Sequence, residues 1–298
     1  MTTGAVPAAV AARPLGVVGD YVRLTKPRVI SLLLVTTAGA MCVAAGGLPG
    51  GWLLLWTMVG GYLAAGGANA INHYIDRDID GRMARTTTRP VVAGRVAPGR
   101  ALVFGIALGV ISALVLGLAA NWLAAGLALA GLALYVGVYT LWLKRTSLHN
   151  IVIGGSAGAV PPLVGWAAVT GDLGLSAWLL FAIVFYWTPP HFWALALMLE
   201  RDYAAAGIPM LPVVRGVEET KRQILLWTLV MVGVTLLPVV SGAAGAFYLV
   251  SALALGAVFI VLAALLARDP AIGWARATFH YSLLYLALIF VALVVDAA

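Results

Sequence analysis

Cysteine is almost missing from this chain. The single thiol, Cys42, lies in an apolar run, so no internal disulfide is possible and no oxidising compartment is implied. Charge is nearly as scarce: 10% of the 298 residues are Asp, Glu, Lys or Arg, against 63% hydrophobic, and the mean hydropathy is +1.03. That balance excludes an ordinary soluble domain and points to an integral membrane protein. The first 28 residues hold Arg13, Arg23, Lys26 and Arg28 but no separate apolar stretch, so neither a cleavable signal peptide nor a transit peptide is expected. A pI near 9.8 could suggest nucleic acid. The basic residues sit beside apolar runs instead of forming a solvated basic domain, so no nucleic-acid partner is expected.

What the chain does have is long apolar runs. Nine are long enough to span, at about 20 residues per bilayer crossing: 29–46, 51–72, 100–119, 122–143, 150–169, 176–198, 223–242, 246–267 and 278–296. Continuous rather than alternating hydrophobicity makes these helices and not barrel strands. The expected fold is therefore all-α: one polytopic bundle of nine transmembrane helices across residues 1–298, with a flexible segment over 1–22.

Every Lys and Arg falls in the N-terminal segment or in every second loop after it; the loops around GGLPGG, AAN, TGDLG and SGAAG have none. The positive-inside rule then puts the N-terminus in the cytoplasm and the C-terminus outside. Nine of the 11 acidic residues share the cytoplasmic side, leaving Asp172 and Asp296 opposite. One face carries the chemistry.

The centre of that face is Asn72-His73-Tyr74-Ile75-Asp76-Arg77-Asp78-Ile79-Asp80, where the second span runs into carboxylates. On a helix Asn72, Asp76 and Asp80 share a stripe over roughly 12 Å, which Asn69 extends. Arg82, Arg85 and Arg89 follow at once. Hard oxygens followed by guanidinium groups suit Mg²⁺ with a phosphate-bearing ligand: the metal takes carboxylate and phosphate oxygens together, and forked donors match the phosphate. A charged helix end at the membrane surface is the plain alternative. It does not require asparagines inside the apolar stretch, where polar groups are functional by default.

Other signals gather on the same side. Lys26 and Arg28 suit headgroup anchoring as well as ligand contact, and Lys144 and Arg145 read equally as topology anchors or phosphate contacts. The glycines of GGYLAAGGANAIN permit close helix approach. The pairs Pro161-Pro162 and Pro189-Pro190 interrupt two spans, which suggests an internal cavity. His191 lies nine residues before Glu200, about 13 Å deeper if one helix continues between them, among Trp187, Phe192 and Trp193, so it is either hydrogen-bonded in the bundle or a ligand to a metal or haem. Glu200 and Asp202 form a second acidic cluster, able with the first to hold two Mg²⁺ ions around one diphosphate.

Together the N-x-x-x-D-x-x-x-D motif after the second span, the acidic cluster after the sixth and the nine spans resemble the UbiA-type intramembrane prenyltransferases. LTKPRV, NHYIDRDIDGRMARTTTRP, LKRTSLHNIVIGGSAGAVPPLVGW, TPPHFWALAL and DYAAAGIPMLPVV, running from Leu24 to Val214, resemble the haem-modifying branch of that family, and FHYSLLYLALIF does so more weakly. The resemblance implies a helical bundle with a central cavity open to the cytoplasmic side of a bacterial inner membrane. It also implies farnesyl transfer from farnesyl diphosphate to a vinyl group of haem B with addition of water, and product delivery to a haem A synthase or terminal oxidase.

In that frame Asn72, Asp76 and Asp80 match the first metal-diphosphate motif, with Arg82 and Arg85 stabilising the departing diphosphate and Lys144 or Arg145 assisting. Glu200 and Asp202 occupy the region of the second motif but lack its D-x-x-x-D spacing. His191 is expected to contact the haem, by iron ligation or by a propionate hydrogen bond. Two other functions fit parts of the pattern: prenylation of a quinone or chlorophyll precursor, and transport of a cation or metabolite.

Overall fold

Hydropathy dictates most of the architecture. The structure, a computed structural model, describes residues 16–297. A short helix, α1 (Val17–Thr25), precedes α2 (Pro27–Ala45) and α3 (Gly51–Ile75); a polar segment with the one-turn helix α4 (Arg77–Asp80) leads to α5 (Pro98–Ala119) and α6 (Trp122–Ala133). A π-helix, Leu134–Leu143, continues α6 into α7 (Lys144–Thr146). There follow α8 (Asn150–Gly154), α9 (Ser156–Thr170), α10 (Leu175–Met198), α11 (Glu200–Ala205), α12 (Leu211–Thr235), α13 (Leu237–Val240), α14 (Ala246–Arg268) and α15 (Ala275–Ala297).

Local chemistry sets these limits. Pro27 and Pro98 occupy first-turn positions, where a missing N–H costs nothing. Asn121 caps α6 by accepting from the Ala124 amide at 2.9 Å. Gly46 and Gly171 close α2 and α9 in the left-handed region, at φ 62° and 74°.

Eight helices among the described residues are long and apolar enough to cross a membrane. The chain is a multi-pass membrane protein. Of the nine expected spans, the second is the 25-residue α3, which carries no charge and is set apart by hydropathy rather than length. Two boundaries need correction. The seventh span starts at Leu211, not 223, because the helix runs on through the charged VEETKRQ stretch, bent at Gly216 (φ 83°). Residues 17–22, expected to be flexible, are helical, and Arg95 Nε holds Asp20 Oδ1 at 2.9 Å. The rest of that expectation, 1–15, lies outside the described residues.

Packing places the functional end. Gly67 and Gly105 bring α3 and α5 into backbone contact: a Cβ on Gly67 would lie 2.6 Å from the Gly105 carbonyl oxygen, and one on Gly105 2.8 Å from that of Gly67. The helices α10, α12, α14 and α15 close around buried Phe259, Tyr248, Tyr285 and Phe290. The Tyr285 hydroxyl meets Thr235 Oγ1 at 2.9 Å, and Tyr248 donates to the Thr235 carbonyl at 2.7 Å. Large outward side chains such as Val103, Leu118 and Val250 are apolar and exposed, as a lipid-facing surface requires.

Candidate active site

The stripe expected from spacing survives a break in its helix. α3 stops at Ile75 and Asp76 takes φ −82°, ψ 3°, so one continuous helix through Asp80 is not formed. The i→i+4 bonds persist across the break, from the Asp76 amide to Asn72 O (2.9 Å) and from the Asp80 amide to Asp76 O (2.8 Å), which keeps the three side chains in register. Asn72, Asp76 and Asp80 are 2%, 0% and 1% exposed.

Buried carboxylates must be paired, and each has its own cation. Asp76 Oδ2 accepts from Lys144 Nζ and, at 2.7 Å, from Asn72 Nδ2. Asp80 Oδ2 accepts from Arg89. Asn72 is the hinge of the network: its Oδ1 accepts from Lys26 Nζ at 2.9 Å and its Nδ2 also reaches Thr140 Oγ1 at 3.2 Å. Thr140 donates in turn to Tyr135 O at 2.8 Å, five residues back, within the π-helix. Such π segments are rare and concentrate at functional sites; this one delivers Thr140 and Lys144 to the end of α3.

Arg145 grips Asp78 with both guanidinium nitrogens at 2.8 Å and lies 3.5 Å from Asp76 Oδ1. These bonds hold the Asp78 carboxyl down at about 2, against partial burial. Asp76 Oδ1 itself is sealed from solvent with no hydrogen-bond donor.

Beside this network opens a cleft of about 300 Å³ lined by Arg23, Lys26, His73, Thr88, Arg89 and Pro90. Neither ring nitrogen of His73 has a hydrogen-bond partner, although the residue is 2% exposed. Lys26 sits at φ 55°, the one non-glycine residue in the left-handed region among the described residues. The strain is sustained at the residue that bonds Asn72. Arg23, Lys26, Arg89, Lys144 and Arg145 outnumber Asp76, Asp78 and Asp80, so the site has positive charge left over for an anion.

Other expected residues fall elsewhere. Asn69 Nδ2 donates to Thr25 O at 2.9 Å and fastens α3 to the end of α1. Arg82 is exposed, and Arg85, also exposed, lies over the Tyr203 ring (5.6 Å) and 3.4 Å from its hydroxyl. Arg89 is the arginine at the carboxylates. Burial raises the Tyr203 phenol above its ordinary value, against the pull of Arg85 and Arg89.

Glu200 and Asp202, expected to form a second metal pair, lie on α11. α11 turns Tyr203 into the protein and leaves Glu200 and Asp202 half-exposed, and among the described residues no three His, Cys, Asp or Glu side chains gather to hold a metal. His191 is buried in α10, with its ring between Trp187 (centroids 4.3 Å, 18°) and Phe279 (4.8 Å, 23°).

Residues 32–284 match the UbiA prenyltransferase family. The chain belongs to the UbiA prenyltransferase family. Among relatives of this UbiA chain, the protoheme IX farnesyltransferase of Roseiflexus sp. (strain RS-1) is 57% identical over 277 residues, 93% of this chain and 52% of that protein. The protoheme IX farnesyltransferase of Gloeobacter violaceus is 56% identical over 279 residues, 93% of this chain and 92% of that protein. The chain thus spans about half the length of the first relative and nearly all of the second. A UbiA homolog from Archaeoglobus fulgidus bound to DMAPP and Mg²⁺ shares the fold, with a TM-score of 0.67 at 15% identity, covering 92% of this chain and 99% of that one.

Proposed function

We propose that this chain moves the farnesyl group of farnesyl diphosphate onto a vinyl group of haem B and that water then completes haem O. One observation carries the reading: a buried Asn72–Asp76–Asp80 stripe, ringed by surplus cations, at the mouth of an apolar bundle. The names of the Roseiflexus and Gloeobacter relatives support haem as acceptor.

The residues fit Mg²⁺. Asp76, Asp80 and the Asn72 carbonyl offer the hard oxygens that Mg²⁺ prefers, and Asp76 Oδ1 is buried without a donor. Bound to them, Mg²⁺ would act as a Lewis acid that neutralises diphosphate charge. To admit it, Lys144 and Arg89 must leave their carboxylates, and the same two cations are then free for phosphate oxygens. Arg23 and Lys26 line the cleft where an anion would lie. Glu200 and Asp202, half-exposed on α11, would supply further oxygens for a second Mg²⁺, and Arg82 and Arg85, exposed, would turn inward to reach the diphosphate.

In the reaction the allylic carbon–oxygen bond breaks and its electron pair leaves with diphosphate, stabilised by these cations. The vinyl π electrons form the new carbon–carbon bond. The cation left beside the porphyrin takes water oxygen and loses a proton. The aromatic interior of α10, α12 and α15 excludes bulk water until then. On the positive-inside bias, the charged end faces the cytoplasm of a bacterial inner membrane, with the C-terminus outside. The product would pass to a haem A synthase or a terminal oxidase, and residues 1–298 would act as one catalytic domain. Acceptor exchange tests the reading: haem B and not hydroxybenzoate should receive the farnesyl group, and chelation of Mg²⁺ should stop the transfer. Prenylated hydroxybenzoate with untouched haem would overturn it.

A further inference from the structure

His191 is held on three sides by two other residues and one neighbour on its own helix. Trp187, four residues earlier on α10, stacks on one face of the imidazole, and Phe279 of α15 covers the other. Ser282, three residues after Phe279, closes the frame: its backbone carbonyl accepts from Trp187 Nε1 at 2.7 Å, and its hydroxyl lies 2.6 Å from His191 Nδ1. With both faces covered and one edge tied, the ring cannot turn over.

The position of one proton follows from counting donors. A serine hydroxyl has a single hydrogen and two lone pairs. Ser282 Oγ is 2.6 Å from the Phe279 carbonyl oxygen, which can only accept, so the hydroxyl hydrogen is committed there. The contact with His191 is then a hydrogen bond only if Nδ1 carries the proton and donates to Oγ. A neutral imidazole protonated on Nδ1 has a bare lone pair on Nε2. Among the described residues Nε2 has no protein partner. An imidazole whose far nitrogen donates to a fixed acceptor is the arrangement that orients histidine as a metal ligand.

We propose that Nε2 of His191 is an axial ligand to the iron of the acceptor haem and that Ser282 is the positioning residue that fixes its tautomer and ring plane. The inference rests on the reading of haem as acceptor. It also decides between the two contacts open to His191: a nitrogen without a proton cannot donate to a propionate, and it can bind iron. Seven residues before the end of α10 at Met198, about 10 Å along the helix, the ligand would hold the porphyrin inside the bundle, away from the cationic mouth.

The test is spectroscopic. Ferric haem B is added to the purified full chain in detergent, and absorption and electron paramagnetic resonance spectra are recorded beside farnesyl diphosphate binding, which reports folding. Wild type should show an imidazole-ligated iron. His191→Ala should lose that signature, regain it with added free imidazole, and keep its farnesyl diphosphate affinity. Ser282→Ala should weaken haem binding by about 10–100-fold, and Ser282→Thr, which retains the hydroxyl, should recover part of it. An unchanged spectrum in His191→Ala overturns the proposal, including the case in which that variant makes farnesylated haem without added water, since Nε2 would then serve the water. Farnesylated haem from a wild type with no imidazole signature defeats the ligation and leaves the activity standing. Farnesyl transfer to another acceptor, with haem neither bound nor altered, defeats the activity and the ligation together.

Discussion

Lys26 shows most clearly how a single residue is bound to the site. A glycine would relieve its left-handed backbone, yet only lysine there supplies the 2.9 Å bond to Asn72 Oδ1. Lys26→Gly should therefore melt no lower than wild type, while the KM for farnesyl diphosphate rises about 10-fold or more, the scale of one charge-assisted hydrogen bond. Melting and steady-state kinetics on one preparation check both halves, and an unchanged KM would remove Lys26 from the site. Asp78 gives a pH prediction. Its carboxyl is held at about 2 in the folded chain, below its ordinary 3.8. A depressed carboxyl stabilises above the ordinary value and loses that stabilisation as pH falls through the folded one. The melting difference between wild type and Asp78→Asn should be flat from pH 5 to 8 and vanish towards pH 2. It should stay small throughout, since the Asp78 side chain is 52% exposed and such pairs contribute under about 1 kcal/mol. At this scale spacing and charge made Asn72, Asp76 and Asp80 legible, but not all of their partners. Thr140 lies in an apolar run, and Arg89 looked no different from Arg82 and Arg85, because which arginine a loop turns inward is decided by packing.

Among the elements, α3 and the π-helix decide where the chemistry sits. Gly105 touches Ile71 and Gly67 of α3 so closely that a Cβ would lie 2.6 Å from Ile71 Cγ1 and 3.0 Å from the Ile71 amide nitrogen. Backbone cannot yield as a flexible side chain does, and Ile71 adjoins Asn72. Gly105→Ala should cost about 1–3 kcal/mol of stability and lower kcat as well, seen as a reduced melting temperature and slower turnover. Gly99, at the start of α5, has open space around the same position, and Gly99→Ala should change neither. The glycine-rich stretch of α3 was readable as a close-approach surface. The π-helix was not, because LYVGVYTLWL is apolar at every spacing and its hydrophobicity cannot separate a tighter turn from a wider one. The N-terminal half of α12 was hidden for the opposite reason, since its charges look like a loop until their helical pairs, such as Lys221 with Glu218, are seen.

In the whole molecule, the N-terminal helix, the 76–97 segment and the 143–150 turn meet at one end through Arg95–Asp20, Lys144–Asp76 and Arg145–Asp78. Contacts that distant in sequence explain why composition revealed the bundle but not the site's geometry: hydropathy is local, and ion pairing across 68 residues is not. The proposed activity is that this end ionises farnesyl diphosphate with Mg²⁺ and passes the farnesyl group to haem. The most direct measurement is mass analysis of haem after incubation with the purified chain, farnesyl diphosphate and Mg²⁺, with Asp76→Asn alongside. Asparagine preserves the shape of the residue next to Lys144 and removes its charge. Wild type should yield a farnesylated and hydrated haem, and the variant should turn over at a rate at least about 100-fold lower. Equal product from both, or unmodified haem from a wild type that still turns over farnesyl diphosphate, would contradict it.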